Sequence, residues 1–308
     1  MSAPEEGDIM TSKNKNGIVV NPEDTNAIIA AQKEWLDKLF QQKAGYEPIL
    51  VKAIEGAAPE TLEKVDYDLY NWIEYKQVWP KIKAPIYTRG ILPNEIMIDP
   101  DSENWNNVRD ELRKLQAYCD NNNIPYTMGF SGGKGVHFSI VFNGLSAGSS
   151  EASEALYNRI QELNIDYKKI VRRTLLLKLS ELADVDLEKI GLDNKKINFS
   201  HSRMGSQIRE FGTIRAPGKY KTLITEIPDK KLEAGELPLV FPEEVKVWDI
   251  NGTEFNTIAI DAINQEISKR EKAEEYTPIS DKNFKDMLIV EFPCIARLFN
   301  VGVRNGRY

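Results

Sequence analysis

The stretch FSGGKGVHFSIVF, residues 130–142, narrows what this chain can fold into more than any other. Apolar and polar side chains alternate through its second half, and alternation at period two belongs to a strand with one buried face. Val136, Phe138, Ile140 and Phe142 then share that face, while His137 and Ser139 take the other. Just before it, IPYTMGF (124–130) reads as a second strand, with the glycine-rich segment between them as the joining turn. Upstream, the apolar run EIMID (95–99) predicts a further strand, ended by Pro100, which cannot donate to a sheet ladder. Between these strands, in SENWNNVRDELRKLQAYCDNNN, the side chains Trp105, Val108, Leu112, Leu115 and Cys119 recur at three- and four-residue steps. That spacing predicts a helix, ended by the asparagine run. A strand, a helix and a hairpin in that order make the chain a mixture of α and β.

The rest of the chain extends the mixture. Residues 23–43 carry the apolar spacing of an amphipathic helix, WIEYKQVWPKIKAP (72–85) is an aromatic, mixed stretch, and a second helical segment is expected over 151–184. KKINFS (195–200), EFGTIRAP (210–217) and KTLITEI (221–227) read as short strands. From about 227 the chain turns acidic and proline-containing, and EISKREKAEEYTP (266–278) reads as a charged helix or linker. Length, at 308 residues, allows one large domain or two ordinary ones. A hydrophobic share of 41% with 28% charged residues is that of a water-soluble globular protein, and no apolar run reaches membrane-span length. The N-terminal MSAPEEGDIMTSKNKNG lacks a basic stretch followed by an apolar core, so it reads as a flexible tail and an intracellular location is expected. The only cysteines, Cys119 and Cys294, lie too far apart for a metal knuckle, which excludes a Cys-based zinc site.

Three constellations carry chemistry. In the first, the turn Ser131-Gly132-Gly133-Lys134-Gly135 leads directly into His137. Glycines let backbone N–H groups approach an anion closely, and Lys134 adds positive charge, a combination suited to phosphate; a plain hairpin with a solvated lysine would look alike. In the second, strand geometry continued through Pro100 puts Asp99 and Asp101 on one side. Two carboxylates that close repel, and a hard divalent cation relieves the repulsion, although Asp99 could equally be a turn residue and Asp101 or Ser102 the cap of the next helix. The third runs from Asp193, which follows the apolar Leu192, to Thr222. From Asn194 onward Lys195, Lys196, Arg203, Arg209, Arg215, Lys219 and Lys221 face Glu210 alone, a basic focus in a chain of net charge -7. Phe199, Ile208, Phe211 and Ile214 interleave with those cations, as strands lining a cleft would require.

Taken in order, the Asp99-Pro100-Asp101 strand end, SGGKGVH (131–137), and Leu192-Asp193 ahead of arginines and the Lys221-Thr222 pair resemble the three motifs of the archaeo-eukaryotic primase superfamily. That superfamily comprises primase catalytic small subunits and primase-polymerases, and the resemblance covers about residues 85–225. It implies an α+β core, an RRM-like sheet bearing the active site with flanking helices, spanning 21–260, between an N-terminal tail (1–20) and a charged linker with the start of a helical accessory segment (261–308). The ending FPCIARLFNVGVRNGRY (292–308) resembles the opening of such a helical domain, so the chain is expected to be a fragment of a longer protein.

By position, the resemblance implies that Asp99, Asp101 and Asp193 bind two Mg²⁺ or Mn²⁺ ions. Ser131, Gly132, Gly133, Lys134, Gly135 and His137 would hold the triphosphate of an incoming NTP or dNTP. Arg209, Arg215 and Lys221 match the basic residues after the third motif, with Arg209 and Arg215 interchangeable in alignment; Lys195, Lys196 and Arg203 would line the single-stranded DNA template. Asp184 and Asp186 rival Asp193 for the third carboxylate. The implied activity is DNA-templated primer synthesis with release of pyrophosphate, without structural zinc or membrane, and with a C-terminal helical domain or large-subunit-like protein as partner. A catalytically inactive nucleic-acid-binding module of this fold and a repair-type nucleotidyl transferase are the alternatives.

Overall fold

The computed structural model describes residues 17–41, 49–52, 63–66, 87–132, 135–193, 197, 207–216, 219–232 and 237–274. Strand β1 (Gly17–Val20) leads into helix α1 (Thr25–Gln41), and strands β2 (Ile49–Lys52), β3 (Glu63–Asp66), β4 (Tyr87–Gly90) and β5 (Glu95–Ile98) precede helix α2 (Trp105–Asn121). The hairpin of β6 (Thr127–Phe130) and β7 (Val136–Asn143) follows, then helices α3 (Ser150–Glu162) and α4 (Tyr167–Leu182). Short strands β8 (Gln207–Arg209), β9 (Ile214–Ala216), β10 (Lys219–Tyr220), β11 (Thr222–Ile224), β12 (Leu239–Pro242) and β13 (Val247–Asp249) lead to helix α5 (Glu254–Glu274). The described residues are therefore mixed α+β. Two compact units divide the chain, Met1–Ile263 and Asn264–Tyr308; of the second, the described residues 264–274 are helical.

Strand β7 is the spine of a five-stranded sheet, antiparallel to β5 and β6 and parallel to β13, with β11 antiparallel on β6. Its β-branched and aromatic residues suit a pleated sheet, and both its faces are largely buried rather than the one that alternation predicts, because a second core covers the other face. The face bearing Ile96, Ile98, Phe138 and Ile140 is buried, and α4 packs on β5 and against α2. Each such aliphatic or aromatic side chain contributes roughly 1.5–3 kcal/mol by leaving water. Helix α2 starts where the Asn104 side chain accepts from the Asn107 N–H, and it buries Val108, Leu112, Leu115 and Cys119, the stripe read from the sequence.

The opposite face carries Glu95, Met97, Val141, Ser139 and His137. Val141 joins Val20, Trp35, Leu36, Phe211 and Phe241 in a core roofed by α1 and the β1–β12 pair. Met97 packs with Ile91 and Ile208. Ile208 belongs to β8, the edge of an antiparallel sheet ordered β3-β2-β4-β8, so the basic segment is folded back over β5.

Two expectations change. The helical segment over 151–184 is two helices, because Asn164 takes a positive φ of 48° and the Asp166 side chain caps a new start by accepting from the Lys169 N–H. EFGTIRAP is a strand only from Ile214: the Thr213 N–H donates to the Glu210 carbonyl, and Gly212 supplies the φ of +74° that the turn needs. KKINFS lies outside the described residues except for Ile197, which is buried; WIEYKQVWPKIKAP and the 292–308 ending lie outside them altogether.

Candidate active site

Register between β5 and β7 builds the site. Met97 pairs with Ser139 and Ile98 with Phe138, so one antiparallel step further Asp99 stands across from His137. His137 Nε2 lies 3.3 Å from Asp99 Oδ1, the imidazole 7% exposed and the carboxylate 50%. The alternation had correctly turned His137 away from the apolar face. It could not show that the ring is buried beneath a carboxylate.

Asp101 is exposed, and its backbone N–H donates to the Ile190 carbonyl at 2.9 Å. Gly191 completes that junction at φ +81°, where a Cβ would stand only 2.8 Å from the Asp101 carbonyl carbon. The turn leading to the exposed Asp193 is thereby docked on the Asp101 backbone. Asp186 has other work: its Oδ1 accepts from the N–H groups of Glu188 and Lys189 and caps their turn, while its own N–H donates to buried Glu111 at 2.8 Å. Asp184 holds a φ of +53° and offers its carbonyl to Lys114 Nζ at 2.8 Å.

Among the described residues no three His, Cys, Asp or Glu side chains are grouped to hold a metal ion, so Asp99, Asp101 and Asp193 do not converge as a triad. Asp99 and Asp101 nevertheless offer hard oxygen donors at solvent-reachable positions. A magnesium-like ion needs only one or two carboxylates beside water and substrate phosphates, so the chemistry of this pair fits such an ion.

The glycine turn closes on itself. The Ser131 N–H donates to the Gly135 carbonyl at 2.9 Å, the Gly135 N–H donates to Ser131 Oγ at 3.3 Å, and Gly132 adopts a φ of +72°. Gly133 and Lys134 lie outside the described residues, as do Lys195, Lys196 and Arg203. Arg209 reaches this turn from β8, its Nη1 donating to the Ser131 carbonyl at 3.2 Å. Lys221 is buried and donates to the Arg209 carbonyl at 2.6 Å. Arg215 lies on β9, which pairs with β10 in a sheet separate from that of β8.

Several residues of this neighbourhood escape motif reading. Glu95 is fully buried on the face of Asp99, its two oxygens accepting from Ser139 Oγ at 2.7 Å and from the Leu92 N–H at 3.0 Å. An acidic residue opening an apolar strand in phase with Asp99 was the available signal. Gly129 pairs with His137, and a Cβ there would meet the Phe211 ring at 2.8 Å and Lys221 Cε at 3.0 Å, a closeness that no local pattern announces.

No family model matches the sequence, and no curated protein matches it. Among solved structures, the crystal structure of primase RepB' is similar at a TM-score of 0.41 and 13% identity, over 87% of this chain and 76% of that one. So loose a likeness establishes neither fold nor function. Among the described residues no helix is long and apolar enough to cross a membrane.

Proposed function

We propose that this chain is a DNA-templated nucleotidyl transferase of the primase or primase-polymerase type, extending or initiating primers on single-stranded DNA with release of pyrophosphate. One observation carries the reading: Asp99, two residues before the exposed Asp101, lies beside His137, which opens from a glycine turn that Arg209 also touches. Acceptors for a cation and donors for a phosphate thus meet at one sheet end, as transfer of a phosphoryl group requires. The motif order that resembles the primase superfamily supports the same reading.

In this reading Asp99 and Asp101 hold a divalent metal, with Asp193 arriving on the turn docked at Asp101. Bound there, Mg²⁺ or Mn²⁺ would neutralise charge on the transferring group and acidify the attacking hydroxyl. The Ser131 hydroxyl and the Arg209 guanidinium, with Lys134 of the motif, orient the triphosphate by charge-assisted hydrogen bonds. His137 steadies Asp99 from below, and the motif resemblance assigns it a contact with the same phosphates. Template DNA runs along the basic residues Lys195, Lys196 and Arg203.

The test is a product gel with single-stranded template, Mg²⁺ or Mn²⁺ and labelled nucleotides. Oligomers mark a primase, extension of a supplied primer alone marks a polymerase or repair-type transferase, and template binding without product marks an inactive module. Asp101→Ala is expected to lower incorporation by orders of magnitude while its thermal unfolding stays cooperative, because a metal ligand supplies charge stabilisation that nothing else replaces. Extension at the native rate by the folded variant would refute the carboxylate assignment.

A further inference from the structure

The geometry points to a division of labour within the basic segment: Arg209 meets the bound phosphates, and Lys221 is a positioning residue that holds Arg209 in place. This rests on the Ser131–Gly135 turn being the anion site. Lys221 is 2% exposed. Its ammonium donates to the Arg209 carbonyl at 2.6 Å and stands 4.6 Å from the centre of the Phe211 ring. A cation between a carbonyl and an aromatic face in the interior is well satisfied where it is, and reaching a substrate would uncover it. Arg209 is only partly buried, and its guanidinium already lies on the Ser131 carbonyl at 3.2 Å. Its rigid five-donor fork is the group suited to grip phosphate at that lip.

The support behind Lys221 continues into α1. The Phe211 N–H donates to Glu210 Oε1 at 2.8 Å, and the Phe211 carbonyl accepts from Gln32 Nε2 at 2.6 Å. Trp35 donates from Nε1 to the same Glu210 oxygen at 2.9 Å and meets the Phe211 ring edge-on at 5.6 Å. Glu210 and Gln32 are both fully buried. Helix α1 thus fixes Phe211, the ring and the Arg209 carbonyl fix the ammonium, and Arg209 is presented to the turn. Gly129 keeps open the space that the Lys221 stem and the ring occupy.

The experiment is a double-mutant cycle on binding of ATP and of dATP in Mg²⁺, with thermal unfolding of every variant followed in parallel. Arg209→Ala and Lys221→Met are each expected to weaken nucleotide binding about tenfold or more. The double variant should bind within about twofold of Arg209→Ala alone, since a residue acting only through Arg209 has nothing left to lose. Losses that multiply would make Lys221 a direct phosphate contact, and native affinity in Lys221→Met would remove it from the site; either overturns the proposal. Should Lys221→Met not fold, Phe211→Leu takes its place in the cycle and is read identically. Arg209→Ala with native affinity beside a weakened Lys221→Met also overturns it. A native protein that binds neither nucleotide overturns the anion-site reading itself, and this one with it.

Discussion

Gly191 lies at the junction where the two aspartate segments meet. Its φ of +81° is left-handed, and the Asp101 backbone occupies the space a side chain would take. Left-handed backbone costs an L-residue roughly 1–2 kcal/mol, before the contact is relieved by shifting Asp101. Gly191→Ala is therefore expected to lower the thermal midpoint by a few degrees, about 2–4 °C per kcal/mol in a chain of this order. Primer extension should fall further than the remaining folded fraction explains. A variant with native midpoint and native extension would show that this junction does not govern Asp101. At this scale the sequence exposed His137 well, because alternation is local; the partner of His137 depended on how β5 registers with β7, which no neighbouring residue encodes.

Helix α2 and strand β6 meet around two groups that resist ionisation. Burial first, then Asp120, pushes the Cys119 thiol from 9.0 to about 12; burial first also raises the Tyr126 phenol from 10.0 to about 12. Both folded values lie above the unfolded ones, so the protonated forms favour the native state. That contribution is complete below pH 9 for the thiol and below pH 10 for the phenol, and it is lost as pH rises toward 12. Urea midpoints measured from pH 8 to pH 11.5 are expected to fall less steeply in a Cys119→Ala/Tyr126→Phe variant than in the native chain; equal slopes would sink the assignment. Elements themselves were unevenly legible. The apolar stripe of α2 stood out because its period runs over several turns, whereas the break at Asn164 between α3 and α4 interrupts only a few residues of a longer pattern. The turn at Glu210–Thr213 was hidden by flanking β-formers, and Gly212 was its one local sign.

For the whole molecule the uneven charge matters most, since a net charge of -7 surrounds a basic segment between Asn194 and Thr222. If template follows that segment, Lys195→Ala/Lys196→Ala should weaken single-stranded DNA binding at low salt and flatten its salt dependence by about 0.7 log unit per lost phosphate contact. Binding titrations at several salt concentrations measure this, and an unchanged slope would move the template elsewhere. By itself, the sequence determined the α-and-β mixture, the buried face of β7, the helix before it and the order of its polar motifs. These follow from periods of two and 3.6 and from turn chemistry, which act between near neighbours. Only the tertiary structure decided that Asp99 faces His137, that the Asp193 turn docks on Asp101 through Gly191, and that Lys221 lies buried beneath Arg209. Each of these joins residues far apart in the chain through strand register, a backbone close approach or the packing of one sheet over another, and such contacts exist only once the whole core has formed.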